Sequence, residues 1–125
     1  MLLSRFSANL TLLLAYFTDF MKFNGLAANP GTVSAPVCIV HDANEFAHCS
    51  TENIAVLVGV KPTAALTSQV KGILAVHGGI TSHAAIAARE NNKPAVVGLS
   101  PEILEHLKEG DRVTMNGETG EIELN

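Results

Sequence analysis

The chain has 125 residues, a formal charge of −4, 47% apolar residues and 5% aromatic residues. This length predicts one domain, with a core large enough to fold without metal or disulfide crosslinks. The mild acidity offers no basic surface to a nucleic-acid backbone, and so few aromatic side chains do not make a base-stacking platform. We therefore expect a folded domain that does not bind nucleic acid.

The N-terminal segment, residues 1–23, differs in pattern from the rest. Large apolar residues recur in steps of three and four between residues 3 and 20, which predicts an amphipathic helix. The uncharged stretch between Arg5 and Asp19 also has the length of a signal-peptide core, but it is too short to span a membrane as a helix. Such a helix either packs on its own domain or docks on a neighbouring domain or a second copy of the chain.

From about residue 24 the pattern changes to short apolar runs separated by Gly, Pro and Asn, which places the main domain at residues 24–125. Strands are predicted at residues 32–40, 54–60, 72–76 and 95–98, and helices at 63–71, 82–90 and 101–108. Pro36 is expected at a sheet edge or a bulge. An Asn-Gly turn at residues 116–117 joins two alternating strands near the C-terminus. The alternation of strands and helices predicts an α/β fold.

The two cysteines, Cys38 and Cys49, do not form a CxxC pair. A secreted domain held by disulfides normally has more cysteines, so the sequence predicts a reducing compartment and a cytoplasmic location. A metal site built from Cys38, His41, His48 and Cys49 matches no closed zinc pattern. The sequence instead predicts a small buried thiol, solvated imidazoles and no metal site.

The segment at residues 72–98 carries the candidate chemistry. A buried strand ends at His77, and Gly78 and Gly79 allow a sharp reversal of the chain. Thr81 or Ser82 then supplies the hydroxyl that caps the next helix.

His83 follows this cap and lies in the first turn of the predicted helix. Unpaired backbone N–H groups and the positive end of the helix dipole create a site suited to an anion there. A neutral imidazole is a nucleophile, and a phosphoryl group on one of its ring nitrogens would lie where these N–H groups stabilise its negative charge. Alanines dominate the rest of the helix, which can therefore pack close to the sheet.

The sequence GGITSHAAIAARENNKPAVVG, residues 78–98, closely resembles the phosphohistidine signature of the mobile domain of phosphoenolpyruvate-utilising enzymes. This family includes pyruvate phosphate dikinase, phosphoenolpyruvate synthase and enzyme I of the sugar phosphotransferase system. The resemblance extends to NPGTVSAPVCIV, IAVLVGVKPT and GDRVTMNGETGEI, and so covers nearly all of the chain after residue 24. It implies a compact swivelling β/β/α phosphohistidine domain, to which residues 1–23 add a helix.

The resemblance also implies a mechanism. His83 is the transiently phosphorylated histidine, Thr81 and Ser82 flank it, and Gly78 and Gly79 form the preceding turn. The domain would carry phosphate between a nucleotide site and a phosphoenolpyruvate/pyruvate site on partner domains. Mg²⁺ would accompany ATP or phosphoenolpyruvate on those partners, and no cofactor is expected on this chain. In some dikinases the threonine at the position of Thr81 is a target of regulatory phosphorylation.

Two departures limit what the resemblance implies. The family often has an arginine where His77 stands, so a guanidinium contact to phosphate does not transfer to this chain. The chain has no room for a nucleotide-binding fold or a barrel, so we expect a carrier subunit, a fragment or a relic of a phosphotransferase. The alternative is a noncatalytic interaction module that keeps the swivelling fold and docks through its N-terminal helix.

Two other charged or titratable residues are predicted to lie apart from the phosphate. Arg89 is six residues beyond His83 and points to another side of the helix, where a surface salt bridge or a domain contact is expected. His106 is predicted on an exposed polar face.

Overall fold

The computed structural model describes residues 21–125. The helix predicted for residues 3–20 lies outside the described residues, whereas Lys22 and Phe23 belong to the first strand. Among the described helices, none has the length and apolar character needed to cross a membrane.

Eight strands, two α-helices and two 3-10 helices make up the described structure. The strands are β1 (Lys22–Asn24), β2 (Leu26–Asn29), β3 (Thr32–Val40), β4 (Ile54–Val58), β5 (Gly72–Val76), β6 (Ala95–Leu99), β7 (Arg112–Asn116) and β8 (Glu121–Leu124). The α-helices are α1 (Ala64–Gln69) and α2 (His83–Glu90), and the 3-10 helices are Ala43–His48 and Pro101–Glu105. All four strands predicted between residues 32 and 98 are present.

The helix predicted at residues 101–108 is instead a 3-10 helix that ends at Glu105. Ser100 caps it as expected, because its side chain accepts a hydrogen bond from the Glu102 N–H. The carbonyl of Ser100 accepts from Ile103 N–H, three residues on, and the chain therefore winds more tightly than an α-helix.

The strands form one mixed sheet in the order β1-β8-β7-β3-β4-β5-β6-β2. Strands β3 to β6 are parallel to one another, and every other pair is antiparallel. The two outermost strands, β1 and β2, are joined by Gly25 alone, and Gly25 N–H donates to the Gly120 carbonyl at 2.8 Å. The sheet is therefore nearly closed and resembles a barrel.

Pro36 marks a change of partner within β3. Residues 32–36 of this strand pair with β7, whereas residues 37–40 pair with β4. The strand lies inside the sheet and not at its edge, which differs from the sequence prediction. A residue without an N–H is tolerated at this point because the ladder to β7 ends there.

Two apolar cores lie on opposite faces of the parallel strands. Alternate residues of β4 and β5 point to opposite faces, so Ile54 and Leu74 lie in the barrel core while Leu57 and Ile73 lie under the helices. The helical side is closed mainly by small side chains of α2, namely Ala84, Ala85 and Ala88, which are buried. These alanines allow α2 to pack close to the sheet, as the sequence predicts.

Cys38 and Cys49 form a disulfide, which corrects the prediction of a free buried thiol. The 3-10 helix between them reverses the chain and brings their Cα atoms within 5.5 Å. No local motif encodes this approach, because it depends on the path of the loop. A disulfide removes the reason to expect a reducing compartment from so few cysteines, and the cytoplasmic location stays a prediction.

Candidate phosphohistidine site

The candidate site lies at the carboxyl edge of the parallel strands. Val58 of β4 is paired with Val76 of β5, so the two strands end side by side. The chain leaves β5 through a short turn and enters α2 at the same edge. This is the edge at which open parallel sheets usually bind ligands.

The chain reverses after β5 one residue earlier than the sequence predicts. Positive φ angles occur at His77 (+70°) and Gly78 (+87°), whereas the sequence placed the reversal at Gly78 and Gly79. His77 is held to β6 on both sides, because its N–H donates to Leu99 and its carbonyl accepts from Gly98. A non-glycine residue in this conformation is uncommon, and these two bonds hold it there.

Ser82 is the residue that caps α2. Its hydroxyl oxygen accepts a hydrogen bond from the Ala85 N–H at 3.4 Å, and its own N–H donates to the Gly79 carbonyl at 3.0 Å. Thr81, the other candidate cap, is exposed beside it. The structure thus assigns the capping role that the sequence left open between the two hydroxyls.

His83 is the first residue of α2 and its side chain is exposed. Within residues 21–125, the backbone N–H groups of His83 and Ala84 have no hydrogen-bond partner, whereas that of Ile86 donates to Ser82. An anion held by the His83 ring would lie close to these N–H groups and to the positive end of the helix. His83 is therefore accessible to a ligand from solvent.

A shallow depression of about 210 Å³ contains His83. Its lining includes Gly59, Lys61, His77, Gly78, Ser82 and His83. Among the described residues that line it, three are basic or titratable and none is a carboxylate. The depression therefore favours a negatively charged ligand.

Lys61 is the lining residue that the sequence interpretation missed. The predicted alternation of strands and helices could have indicated it, because strands joined through a helix are usually parallel and neighbouring parallel strands deliver their following residues to one edge.

The other candidate residues lie apart from His83. Arg89 Nε donates to the Ala28 carbonyl at 2.9 Å and so joins α2 to β2, and Arg89 forms no ion pair with any residue from 21 to 125. His106 is exposed, as predicted, and its ring lies 5.7 Å from that of Phe23.

A second depression lies near the disulfide, lined by Ile39, His41, Glu45, His48 and Glu109. Its two carboxylates already accept backbone hydrogen bonds, Glu45 from His41 and Glu109 from Ile39. Across residues 21–125, no three His, Cys, Asp or Glu side chains are placed to hold a metal ion. Of the four residues weighed as metal ligands in the sequence, Cys38 and Cys49 are bonded to each other in the disulfide.

The family described as PEP-utilising enzyme, mobile domain, matches residues 53–120, which is more than half of the chain. The chain belongs to this family. The match includes both strands that border the depression, the turn at His77 and all of α2.

The relatives that match this chain are much longer proteins. The chain is 40% identical over 99 residues to the uncharacterized phosphotransferase YvkC of Bacillus subtilis, which covers 78% of this chain and 12% of the relative. It is 37% identical over 97 residues to a probable phosphoenolpyruvate synthase of Pyrococcus horikoshii, which covers 77% of this chain and 12% of the relative. The chain thus spans about an eighth of the length of the curated relatives it matches.

A solved relative supports the same membership. The solution structure of an enzyme I protein superposes with a TM-score of 0.53 and 31% identity, over 64% of this chain and 33% of that one. This chain therefore resembles the solved enzyme I protein in both fold and sequence.

Proposed function

We propose that this chain is a phosphoryl-carrier domain that is transiently phosphorylated on His83. The observation that carries the proposal is the exposed His83 at the start of α2, beside two N–H groups and in a depression to which residues 21–125 offer neither a hydrogen-bond partner for those groups nor a carboxylate. Membership of the mobile-domain family supports it. The domain shuttles phosphate between a nucleotide site and a phosphoenolpyruvate/pyruvate site on partner domains, as in a phosphoenolpyruvate synthase or pyruvate dikinase.

The transfer step requires little covalent chemistry from the protein. With phosphoenolpyruvate as donor, the lone pair of an unprotonated His83 ring nitrogen attacks phosphorus in line with the bridging oxygen. The P–N bond forms as the P–O bond breaks, and the electron pair leaves on the enolate oxygen of pyruvate, which takes a proton at carbon. Partner domains supply Mg²⁺ with phosphoenolpyruvate or ATP, and this chain supplies the nucleophile and the N–H groups.

Each neighbouring residue has a defined part in this proposal. The Ser82 cap fixes where α2 begins, and the His77–Gly78 turn presents that start at the surface. Positioning of this kind contributes much of the rate in phosphoryl transfer, because the reacting atoms must align.

Thr81 is proposed as a regulatory phosphorylation site. It is exposed two residues before His83, so a phosphate on it would repel an incoming phosphoryl donor. We expect Thr81→Asp to lower the labelling rate of His83, with Thr119→Asp, an exposed threonine in the distant β7–β8 turn, as the control. Equal rates in the two variants would argue against this regulation.

The carrier function is tested with ³²P-labelled phosphoenolpyruvate. The protein is mixed with the Pyrococcus horikoshii relative from which the matching segment has been removed, so that only this chain supplies a mobile domain. We expect label that is lost in acid and stable in alkali, as a phosphoramidate requires, and that is absent from His83→Ala.

His106→Ala is the matched control, because His106 is also exposed but lies outside the depression. It should be labelled like the unsubstituted chain. Full labelling of His83→Ala would reject the assignment of His83. Absence of label from the unsubstituted chain, both here and with a small phosphoryl donor, would favour the noncatalytic module.

A further inference from the structure

The depression beside His83 contains one lysine, Lys61. We infer that the Lys61 ammonium binds the phosphoryl group carried by His83 and stabilises its charge during transfer. This inference rests on the phosphoryl-carrier function proposed above. It assigns to Lys61 direct contact with the reacting group.

The sheet brings Lys61 to the turn that precedes His83. Strands β4 and β5 are parallel neighbours whose last residues, Val58 and Val76, are paired. Lys61 follows β4 by three residues, and His77 follows β5 by one. Both residues therefore leave the sheet at the same edge and line the same depression.

The backbone that follows Lys61 is constrained. Pro62 follows it and has a fixed φ, and the Thr63 hydroxyl then caps α1 by accepting from the Leu66 N–H at 3.1 Å. Lys61 is thus held at its backbone, while its four-carbon side chain is long enough to follow a ligand. A flexible cation on a fixed backbone suits a phosphoryl group that arrives and leaves.

The charge of Lys61 has no competing partner in the described part of the chain. Lys22 and Lys71 form ion pairs with Glu121 and Glu52, but no ion pair of Lys61 occurs within residues 21–125. No carboxylate lines the depression either. A phosphoryl group on His83 would therefore offer the Lys61 ammonium an anionic partner within the same depression, and the helix N–H groups would donate to that phosphoryl group as well.

The inference is tested with potassium phosphoramidate, a small donor that needs no partner protein. The His83 nitrogen attacks its phosphorus and ammonia leaves, and the product is followed by ³¹P NMR and by mass spectrometry of peptides. We expect Lys61→Gln to slow labelling of His83 about three- to tenfold at low salt, because a charge-assisted contact to phosphate is lost. Lys61→Arg should keep most of the rate.

Lys108→Gln is the matched control, because Lys108 is exposed and lies outside the depression. The difference between Lys61→Gln and the unsubstituted chain should shrink in 1 M salt, as a screened charge requires and a structural defect does not. Equal labelling of Lys61→Gln and Lys108→Gln would overturn the role of Lys61 and leave the carrier function intact. Absence of selective His83 labelling in the unsubstituted chain would instead overturn the carrier function.

Discussion

His83 shares its exposed position with other histidines, so exposure alone does not distinguish it. His41 Nδ1 lies 3.9 Å from Glu45 Oε1, and His106 lies beside an aromatic ring. His83 differs because a helix begins at its own backbone, which leaves N–H groups beside its ring. At the scale of single residues, the proposed chemistry therefore depends on the cap that fixes the start of α2.

Replacing Ser82 by alanine removes that cap. We expect Ser82→Ala to lower the free energy of unfolding by about 1 kcal/mol, because the Ala85 N–H loses its hydrogen-bond acceptor. Urea denaturation followed by circular dichroism measures this loss.

Ser82→Asp separates stability from function. An aspartate still caps the helix, so stability should stay close to that of the unsubstituted chain, but its carboxylate would repel a phosphate at His83. Unchanged labelling of His83 in this variant would contradict the proposed position of the phosphoryl group.

Among the structural elements, the β7–β8 hairpin depends most clearly on close packing. Its turn packs against β2 and β6, and a Cβ built on Gly117 would overlap the Asn29 carbonyl oxygen. Gly117 is buried and does not have a positive φ, so close packing and not backbone conformation requires a glycine there.

We expect Gly117→Ala to destabilise the domain by about 1–3 kcal/mol, because the hairpin must move away from β2. The comparison is Gly79→Ala, where a Cβ meets open space and φ is also not positive. Thermal unfolding should show a clear loss for Gly117→Ala and little change for Gly79→Ala; equal melting temperatures would contradict the close approach.

The disulfide links β3 to the loop that follows the first 3-10 helix. Cys38 and Cys49 are 11 residues apart, and closing a loop of this length stabilises a protein by about 2–3 kcal/mol. We expect a reducing agent to lower the denaturation midpoint accordingly. The double variant Cys38→Ala, Cys49→Ala should show no response to the reductant, and a response of that variant would assign the effect to another cause.

At the scale of the whole molecule, a carrier domain must dock on more than one partner site. Two large apolar residues near His83 are exposed, Ile80 at 51% and Ile86 at 44%. Ile80 lies in the turn before α2 and Ile86 lies one turn after His83. Their exposure is explained if a partner covers this face while the phosphoryl group is transferred.

Ile86→Asp should therefore weaken transfer from partner-bound phosphoenolpyruvate by about tenfold, because a carboxylate would be buried in the contact. Labelling by phosphoramidate needs no partner and should change much less. The control is Met21→Asp, another exposed apolar residue, at the β1 end of the sheet. Equal loss in both variants would argue against a docking face around His83.

Periodicity and turn chemistry along the chain were sufficient to predict the strands at residues 32–40 and 72–76 and the position of His83 in the first turn of a helix. These features depend on neighbouring residues, such as a continuous apolar run, a hydroxyl cap and a glycine. The same local signals could not choose between Thr81 and Ser82 as the cap, since either hydroxyl has suitable spacing. They also placed the reversal one residue late, because a positive φ at His77 depends on its bonds to β6.

Three features arose from contacts between distant parts of the chain. The path of a loop forms the Cys38–Cys49 disulfide. The order of the strands nearly closes the sheet through β1 and β2, and it also brings Lys61 beside the turn at His77. Local chemistry was thus enough to predict that His83 lies at the start of a capped helix, because the cap and the helix lie within one short segment. The surroundings of His83 required the folded chain, because Lys61 reaches the same depression from the end of β4, which is remote in sequence.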